Sequence, residues 1–293
     1  MASDVRKVLS MIKFSHSIFA LPFALQAAWL AAGGMPHWPV LAGVVVCAVA
    51  ARTAAMAFNR LVDRDIDADN PRTAGRELPS GQLSVPFVTA VVVLSSAVFV
   101  GVAYWLAPIA GHLSWPILAV LLGYSHMKRL HFSAHLVLGL CLALAPLAAW
   151  VAVRGSLHGV LGPVLLLALV VWTWVAGFDV IYACQDAQFD EQAGLHSIPA
   201  RFGVARALWI SRGLHVFTAG ALVAFAIAAH LSWIYWIAVG LTAALLVFEQ
   251  SLVRADDLSR VNVAFFTLNG WIGVLLFAGL VLDMGLLQGR WMA

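Results

Sequence analysis

The sequence predicts an all-α, polytopic membrane protein that crosses the bilayer nine times and forms a single domain over residues 1–293. Composition is the first reason: 62% of residues are hydrophobic and 11% are charged, whereas an average soluble domain carries roughly 25% charged residues. Long apolar runs are the second, since they recur along the whole chain and a spanning helix needs roughly 20 such residues. Little sequence is then left for a separate soluble domain.

Nine apolar runs are interpreted as membrane-spanning helices. Their approximate bounds are 17–34, 39–60, 85–107, 109–126, 133–153, 161–182, 209–229, 232–251 and 263–284. The first run follows a polar N-terminus and lacks a small-residue cleavage site, so it predicts a retained helix and not a signal peptide. The outer connections are short turns, whereas the inner ones after the second and sixth runs extend to roughly 25 residues, a length typical of functional loops.

Basic residues predict the orientation. With the N-terminus inside, fourteen of the seventeen Lys and Arg residues lie in cytoplasmic segments or helix ends, which leaves Arg154 and Arg290 outside and Arg52 within the second span. By the positive-inside rule, the N-terminus and both long loops are cytoplasmic and the C-terminus is outside. The placement of these basic residues, and not the formal charge of +3, therefore indicates a multi-pass protein of the cell membrane, with the lipid bilayer and not nucleic acid as its partner.

A first polar cluster closes the second span. Asn59, Asp63 and Asp67 recur every four residues, so a helix places them on one face. An amide oxygen and two carboxylates near the membrane boundary need a cationic partner. Mg²⁺ is the natural candidate, because it binds through one or two carboxylates together with substrate phosphates. A solvated helix end with mixed charges is the alternative interpretation.

A second cluster closes the sixth span. Asp179, Asp186 and Asp190 lie at offsets of zero, seven and eleven residues, which again share a helical face. Asp179 lies inside or at the edge of the membrane, where an ionisable residue indicates function because leaving it unpaired in hydrocarbon is costly. The alternatives are a structural, hydrogen-bonded aspartate and the proton-relay aspartate of a secondary transporter. A transporter predicts carboxylates near the midplane, whereas these gather at the inner face.

Between the clusters, Tyr124, Lys128 and Arg129 stand at the inner end of the fourth span. Lys128 is well placed to meet a diphosphate, and Tyr124 lies four residues before it on the same face. For Arg129, a positive-inside stop signal is an equal alternative. Arg72 and Arg76, in the loop after the first cluster, are further phosphate candidates.

Together these motifs resemble the UbiA superfamily of intramembrane prenyltransferases, and the resemblance spans nearly the whole chain. The matching residues are Asn59, Asp63 and Asp67 as N-x-x-x-D-x-x-x-D, Arg72-Thr73, Arg76-Glu77-Leu78-Pro79-Ser80-Gly81, Asp186 and Asp190 as D-x-x-x-D, and Tyr124, Lys128 and Arg129 between them. One departure is Arg60, where many members have a further aspartate.

The resemblance implies nine helices around a central cavity, across which the two aspartate motifs face each other. It implies Mg²⁺ ligands and a catalytic role at Asp63, Asp67, Asp186 and Asp190, with Asn59 as a further ligand of the metal and the diphosphate. The expected diphosphate-binding residues are Arg72, Tyr124, Lys128 and Arg129. The candidates for the acceptor site or the cavity wall are Asp179, Tyr182 and His16, the last with an interfacial polar role as its alternative.

The implied reaction is Mg²⁺-dependent transfer of a polyprenyl group from polyprenyl diphosphate to a small aromatic acceptor. Metal and cationic side chains stabilise the leaving diphosphate, while an apolar cavity houses the tail and excludes water. The segment 12–25 is similar to the 4-hydroxybenzoate polyprenyltransferase-like subgroup, some of whose members are linked to menaquinone. The expected function therefore lies in ubiquinone or menaquinone biosynthesis, with haem farnesylation, ether-lipid synthesis and, from another class, proton-coupled transport as alternatives.

Overall fold

The structure, a computed structural model, describes residues 2–12 and 19–291. Within these residues it is helical and contains no β-strand. The α-helices are α1 (Ala2–Met11), α2 (Leu21–Ala32), α3 (Trp38–Val62), α4 (Arg64–Asp69), α5 (Val85–Leu106), α6 (Pro108–Gly123), α7 (Met127–Leu130), α8 (Ala134–Arg154), α9 (Pro163–Ala183), α10 (Ala187–Gln192), α11 (Ile198–Phe202), α12 (Val204–Ala228), α13 (Trp233–Ser251) and α14 (Asn269–Leu282). Two π-helical segments, Val263–Leu268 and Asp283–Leu287, flank α14 and lengthen it at both ends.

The predicted all-α, polytopic architecture is confirmed. Over the described residues, each of the nine predicted spans coincides with a helix, and seven of these are long and apolar enough to cross a membrane. The two shorter ones are α2 and α6, with 12 and 16 residues. At 1.5 Å per residue they extend about 18 and 24 Å, which is less than the roughly 30 Å of a hydrocarbon core.

Proline and glycine mark the ends of the spanning helices. Proline occupies the first or second position of α2, α3, α5, α6 and α9. A backbone N–H at these positions has no acceptor within the helix, so proline, which has no N–H, costs no hydrogen bond there. Gly33 and Gly155 end α2 and α8 in the left-handed conformation, with φ of 78° and 62°. The turns after α2 and α8 are therefore specified by residue type.

Helix α9 lies at the centre of the bundle. In the span that begins with it, 72% of the most apolar window is buried, against 17% for α5. Close approach depends on two glycines: a Cβ at Gly139 of α8 would lie 2.3 Å from the Trp172 carbonyl oxygen, and one at Gly177 would lie 2.3 Å from Cδ2 of His215 on α12. The second aspartate cluster is thus attached to the most enclosed helix.

The C-terminal ends of α3, α6 and α9 are built alike, because each continues at once into a short helix. Helix α4 follows Asp63, α7 follows the 3₁₀ turn Tyr124–His126, and α10 follows the 3₁₀ turn Cys184–Asp186. Asp63 and Asp186 adopt nearly the same backbone conformation, with φ, ψ of −90°, 5° and −101°, 3°. The single helical face that the spacing predicts is therefore bent at each cluster, and the bend recurs in both halves of the chain.

Candidate active site

The structure brings eleven of the sequence-predicted site residues to one polar pocket at the C-terminal ends of α3, α6 and α9. They are Asn59, Asp63, Asp67, Arg72, Arg76, Tyr124, Lys128, Asp179, Tyr182, Asp186 and Asp190. Arg129 adjoins the pocket through Asp63, and His16 lies outside the described residues. Residues separated by more than a hundred positions thus share one site.

Arg72 joins the first loop to the second cluster. Its guanidinium contacts both carboxylate oxygens of Asp186, with Nε donating to Oδ1 at 2.8 Å, and its Nη1 donates to the Tyr182 hydroxyl at 2.8 Å. The Asn70 amide also donates to Asp186, at 3.3 Å. Burial alone would lower the pKa of Arg72, but the hydrogen bonds and charge of Asp186 raise it above its usual value. Arg72 is therefore a permanent cation, one-third exposed at the pocket rim.

Asp67 is held by two arginines. Nη1 of Arg76 lies 2.6 and 2.7 Å from the two oxygens of this buried carboxylate, and Nη1 of Arg60 lies 3.9 Å from Oδ2. Arg60 is itself buried and donates from Nε to the Met11 carbonyl oxygen at 3.4 Å. The residue that departs from the family pattern thus ties the N-terminal helix to the first cluster.

Asp63 is bonded within its own cluster and across to α7. Nη1 of Arg129 donates to its Oδ1 at 2.9 Å, and the Asn59 amide donates to its Oδ2 at 2.8 Å. Arg129 also donates to the Val62 carbonyl oxygen at 2.8 Å, which fixes the guanidinium at the bend between α3 and α4. Burial raises the pKa of the Asp63 carboxyl, and the charge and hydrogen bond of Arg129 oppose that rise.

Asp190 is the most enclosed carboxylate of the pocket, at 2% side-chain exposure. The Lys128 ammonium lies 3.8 Å from its Oδ2, and that buried oxygen accepts no hydrogen bond from the described residues. A buried carboxylate oxygen without a donor is costly unless a cation completes its shell. Asp190 is therefore the pocket's clearest open coordination position.

Positive and negative side chains balance in the pocket. Five aspartates line it, at positions 63, 67, 179, 186 and 190, and five cations line or adjoin it, at positions 60, 72, 76, 128 and 129. In the described part of the chain, no three His, Cys, Asp or Glu side chains converge on one metal-binding point. The carboxylates are instead neutralised by neighbouring cations. The donor set itself, hard carboxylate and amide oxygens beside cationic side chains, fits a divalent cation that binds together with a diphosphate.

Asp179 differs from the other four aspartates in its partner. Its Oδ2 lies 2.7 Å from Nδ1 of His135, a fully buried residue in the first turn of α8. The other ring nitrogen, Nε2, accepts a hydrogen bond from the Ile198 backbone N–H at 3.3 Å. Since Nε2 accepts, the proton is assigned to Nδ1 and is donated to Asp179. Sequence reasoning missed His135, which lies 44 residues from Asp179.

An apolar cavity continues from the polar pocket. Helices α2, α3, α5, α6 and α8 line it, and Asn59 and Tyr124 belong to both spaces. The lining on α8 extends from Leu138 to Ala152, a rise of about 21 Å at 1.5 Å per residue. The cavity is thus long enough for an extended hydrocarbon chain whose polar head lies among the aspartates.

Among the described residues, one charged side chain lines this apolar cavity. Arg52 lies seven residues before Asn59 on α3, which is two helical turns and about 10 Å deeper in the bundle. The sequence analysis placed Arg52 in the span and gave it no role. Two features of the sequence could have identified Arg52 as a site residue. It lies seven residues from Asn59, and a charged residue in a membrane helix is costly unless it has a function.

Comparison with known proteins gives a consistent result. The model of the UbiA prenyltransferase family matches residues 20–273. A 4-hydroxybenzoate octaprenyltransferase of Aeromonas salmonicida is 31% identical over 264 residues, which cover 88% of each chain. A 4-hydroxybenzoate solanesyltransferase of Synechocystis is 31% identical over 262 residues, with the same coverage.

Solved structures share the fold. The apo structure of a UbiA homolog from Aeropyrum pernix superposes with a TM-score of 0.84 at 36% identity and covers 92% of this chain and 98% of its own. A UbiA homolog from Archaeoglobus fulgidus, bound to GPP and Mg²⁺, has a TM-score of 0.73 at 20% identity and covers 95% of this chain and 99% of its own. The second likeness is one of fold.

Proposed function

The chain belongs to the UbiA prenyltransferase family, and we propose that it transfers a polyprenyl group from polyprenyl diphosphate to 4-hydroxybenzoate or a similar aromatic acid in quinone biosynthesis. Its resemblance to that family, inferred from the motifs, is confirmed, and so is its assignment as a prenyltransferase. The proposal concerns the donor, the acceptor, the metal and the residues of this chain. We take residues 1–293 as one prenyltransferase domain.

A single observation carries the proposal: a pocket lined by aspartates and basic residues opens into an apolar cavity through shared Asn59 and Tyr124. A polyprenyl diphosphate has the same two parts, an anionic head joined to a long hydrocarbon tail. The reacting C–O bond joins the head to the tail, so it would lie beside Asn59 and Tyr124. The apolar walls beyond them exclude water, which would otherwise capture an allylic cation.

The cations of the pocket would bind the diphosphate. Arg72, Lys128 and Arg129 now contact Asp186, Asp190 and Asp63, and a diphosphate in the pocket offers these cations oxygens of higher charge. The exchange releases the aspartates. Tyr182 would keep Arg72 at the rim, since its hydroxyl accepts from Nη1 independently of Asp186.

Asp63, Asp67, Asp186 and Asp190, with Asn59, would hold Mg²⁺ together with the diphosphate. Their oxygens suit this cation, and Asp190 carries a buried oxygen without a donor. When bound, the metal neutralises charge that develops on the leaving diphosphate. The chain's own contribution is to orient the two carboxylates of the first cluster, through Asn59 at Asp63 and through Arg60 and Arg76 at Asp67.

Arg52 would bind the carboxylate of the aromatic acid. It lines the apolar cavity two turns from Asn59, so an acceptor bound there would present its ring to the end of the prenyl chain. A guanidinium is suited to a planar carboxylate because it can donate two parallel hydrogen bonds. The sequence-based acceptor candidates Asp179 and Tyr182 line the polar pocket and stay predictions, as does His16.

The cytoplasmic placement of the site is part of the proposal. Arg72, Arg76, Lys128 and Arg129 lie at the same end of the bundle as both aspartate clusters, and this end is positive in the sense of the positive-inside rule. Water-soluble acceptor and metal would then enter from the cytoplasm, and the prenyl donor from the bilayer. The C-terminus would lie on the opposite side.

The experiment is an acceptor screen. Purified protein in lipid vesicles receives radiolabelled polyprenyl diphosphate, Mg²⁺ and one acceptor at a time: 4-hydroxybenzoate, a menaquinone precursor, haem or a glycerol-phosphate lipid. We expect prenylated 4-hydroxybenzoate or prenylated menaquinone precursor. Absence of an aromatic product from every acceptor would refute the proposal. Incorporation of the label into haem or the lipid would assign the enzyme to another branch of its family.

A further inference from the structure

Prenyl transfer to an aromatic ring has two chemical requirements, and neutralisation of the leaving diphosphate is the first. The acceptor's ring carbon must lose its proton after the new bond forms, so a group beside the ring has to accept that proton. The four aspartates at positions 63, 67, 186 and 190 have their oxygens engaged by cations and by the metal of the proposed function. Asp179 is the remaining carboxylate of the pocket.

Asp179 lies at the depth where an acceptor would bind. It lies on α9, seven residues before Asp186 of the following 3₁₀ turn, which places it roughly 10 Å deeper in the bundle. Arg52 stands at the same offset from Asn59 on α3 and lines the apolar cavity, whereas Asp179 lines the polar pocket. Asn59 and Tyr124 line both spaces, so an acid held by Arg52 would present its ring toward these two residues and toward the pocket that Asp179 lines.

One oxygen of the Asp179 carboxylate is hydrogen-bonded to a neighbouring side chain, and Asp179 lines the polar pocket. His135 donates from Nδ1 to Oδ2, and the Ile198 N–H fixes the ring by donating to Nε2. Neighbouring Phe178 and Val180 are buried in the core, so the helix cannot turn Asp179 away without exposing them. A base oriented by a second group, itself held by a third, is the arrangement that enzymes use for directed proton transfer.

We propose that Asp179, positioned by His135, accepts the ring proton of the aromatic acceptor. The proposal rests on the function proposed above. In this step the electrons of the prenyl C–O bond leave with diphosphate, and a π pair of the ring forms the new C–C bond. The ring proton then passes to the carboxylate of Asp179 while the C–H electron pair restores the aromatic ring. Asp179 returns the proton to water after product release.

The test separates C–O cleavage from proton loss. Cleavage is followed by oxygen exchange between the bridging and non-bridging positions of an isotope-labelled prenyl diphosphate. Proton loss is followed by comparing ring-deuterated and unlabelled 4-hydroxybenzoate. Three variants are compared: Asp179→Asn, His135→Phe and His135→Gln. The glutamine in His135→Gln keeps an N–H donor for Asp179. The matched control is Asp65→Asn, because Asp65 is exposed.

For Asp179→Asn we expect aromatic product to fall by about 10²–10⁴, the usual contribution of a general base, while oxygen exchange continues. A primary isotope effect, absent in the unaltered enzyme, should appear because proton loss becomes rate-limiting. His135→Phe should show the same isotope effect, His135→Gln should recover much of the rate, and Asp65→Asn should match the unaltered enzyme.

Two results would overturn the inference: product formation by Asp179→Asn at the rate of the control, or loss of oxygen exchange in step with product and without an isotope effect. The second result would assign Asp179 to ionisation of the donor. The unaltered enzyme, assayed in the same preparation, must form aromatic product. Its failure to do so with any acceptor would overturn the proposed function and this inference with it.

Discussion

Arg72, in the loop after α4, contacts both carboxylate oxygens of Asp186 on the 3₁₀ turn after α9, so the loop that follows one aspartate cluster is fastened to the other. The two residues are 114 positions apart. The contact holds a permanent cation at the rim of the pocket, where we propose that a diphosphate binds. It also means that donor binding must compete with an internal ion pair.

Replacing Arg72 tests this relationship. Arg72→Lys keeps the charge and loses the two-pronged contact, so the KM for polyprenyl diphosphate should rise roughly tenfold to hundredfold, as a charged hydrogen bond contributes about 1.5–3 kcal/mol. The KM for the aromatic acid should stay unchanged. Arg64→Lys is the control, because Arg64 forms its ion pair with the exposed Asp65. Equal KM values in the two variants would contradict a role in donor binding.

The aspartates should control metal-dependent turnover. Asp63→Ala and Asp190→Ala are each expected to reduce diphosphate release by about 10²-fold or more, the scale on which electrostatic stabilisation of a leaving group is lost. Membrane insertion should be preserved, since Asp63 follows the last residue of α3 and Asp190 lies in the short helix α10 after α9. Asp69→Ala, an exposed neighbour, is the control. Chelation of divalent metal should abolish turnover of the unaltered enzyme, and added Mg²⁺ should restore it. Turnover retained in both variants would refute the metal assignment.

Arg52 should determine acceptor affinity. Arg52→Leu removes the guanidinium from the cavity wall, so the KM for 4-hydroxybenzoate should rise roughly tenfold or more, the scale of a charged hydrogen bond, while the KM for the donor should not change. A phenol without a carboxylate serves as the internal control, because its poor turnover should be the same in both proteins. If Arg52→Leu still preferred the acid by the original factor, another residue would bind the carboxylate.

Helix packing around α9 predicts that alanine substitutions at two glycines have different effects on the stability of the protein. A Cβ at Gly177 would lie 2.3 and 2.4 Å from two ring atoms of buried His215, whereas one at Gly213 meets nothing within 4 Å. Gly177→Ala should therefore destabilise the protein by about 1–3 kcal/mol, the usual cost of overpacking. Gly213→Ala should be neutral or slightly stabilising. Thermal unfolding in detergent measures both, and equal midpoints would show that α9 and α12 separate easily.

Orientation is tested by labelling single introduced cysteines. Ser80 and Leu157 are both exposed and lie near opposite ends of the bundle. Ser80→Cys should therefore react with a membrane-impermeant maleimide only from the cytoplasmic side, and Leu157→Cys should react only from the opposite side. The unaltered protein is the background control, since Cys141 and Cys184 are buried and Cys47 is partly buried. Labelling of both variants from one side would contradict the predicted topology.

Much of the architecture was predictable because hydrophobic runs of spanning length are a strong local signal. The spacing of Asn59, Asp63 and Asp67 indicated a shared face, and the structure gathers them in one pocket with Asp186 and Asp190. The bends at Asp63 and Asp186 were not predictable from spacing, since the residues retain helical periodicity while the backbone leaves helical geometry.

The partners of the charged residues were beyond sequence reasoning. Nothing near Asp67 indicates that Arg60 and Arg76 both turn toward it, and nothing near Asp179 indicates His135 of α8. Such pairs depend on helix packing, which is specified by many weak contacts distributed over the chain. Arg52 is the exception, because its offset from Asn59 could have been used.

The two sides of the active site differ in how completely protein covers them. The second aspartate cluster follows α9, whose span is 72% buried in its most apolar window, whereas the apolar cavity is lined partly by α5, which is 17% buried. We therefore expect changes in bilayer thickness or acyl-chain order to alter the lining of the apolar cavity before they alter the alignment of the aspartates.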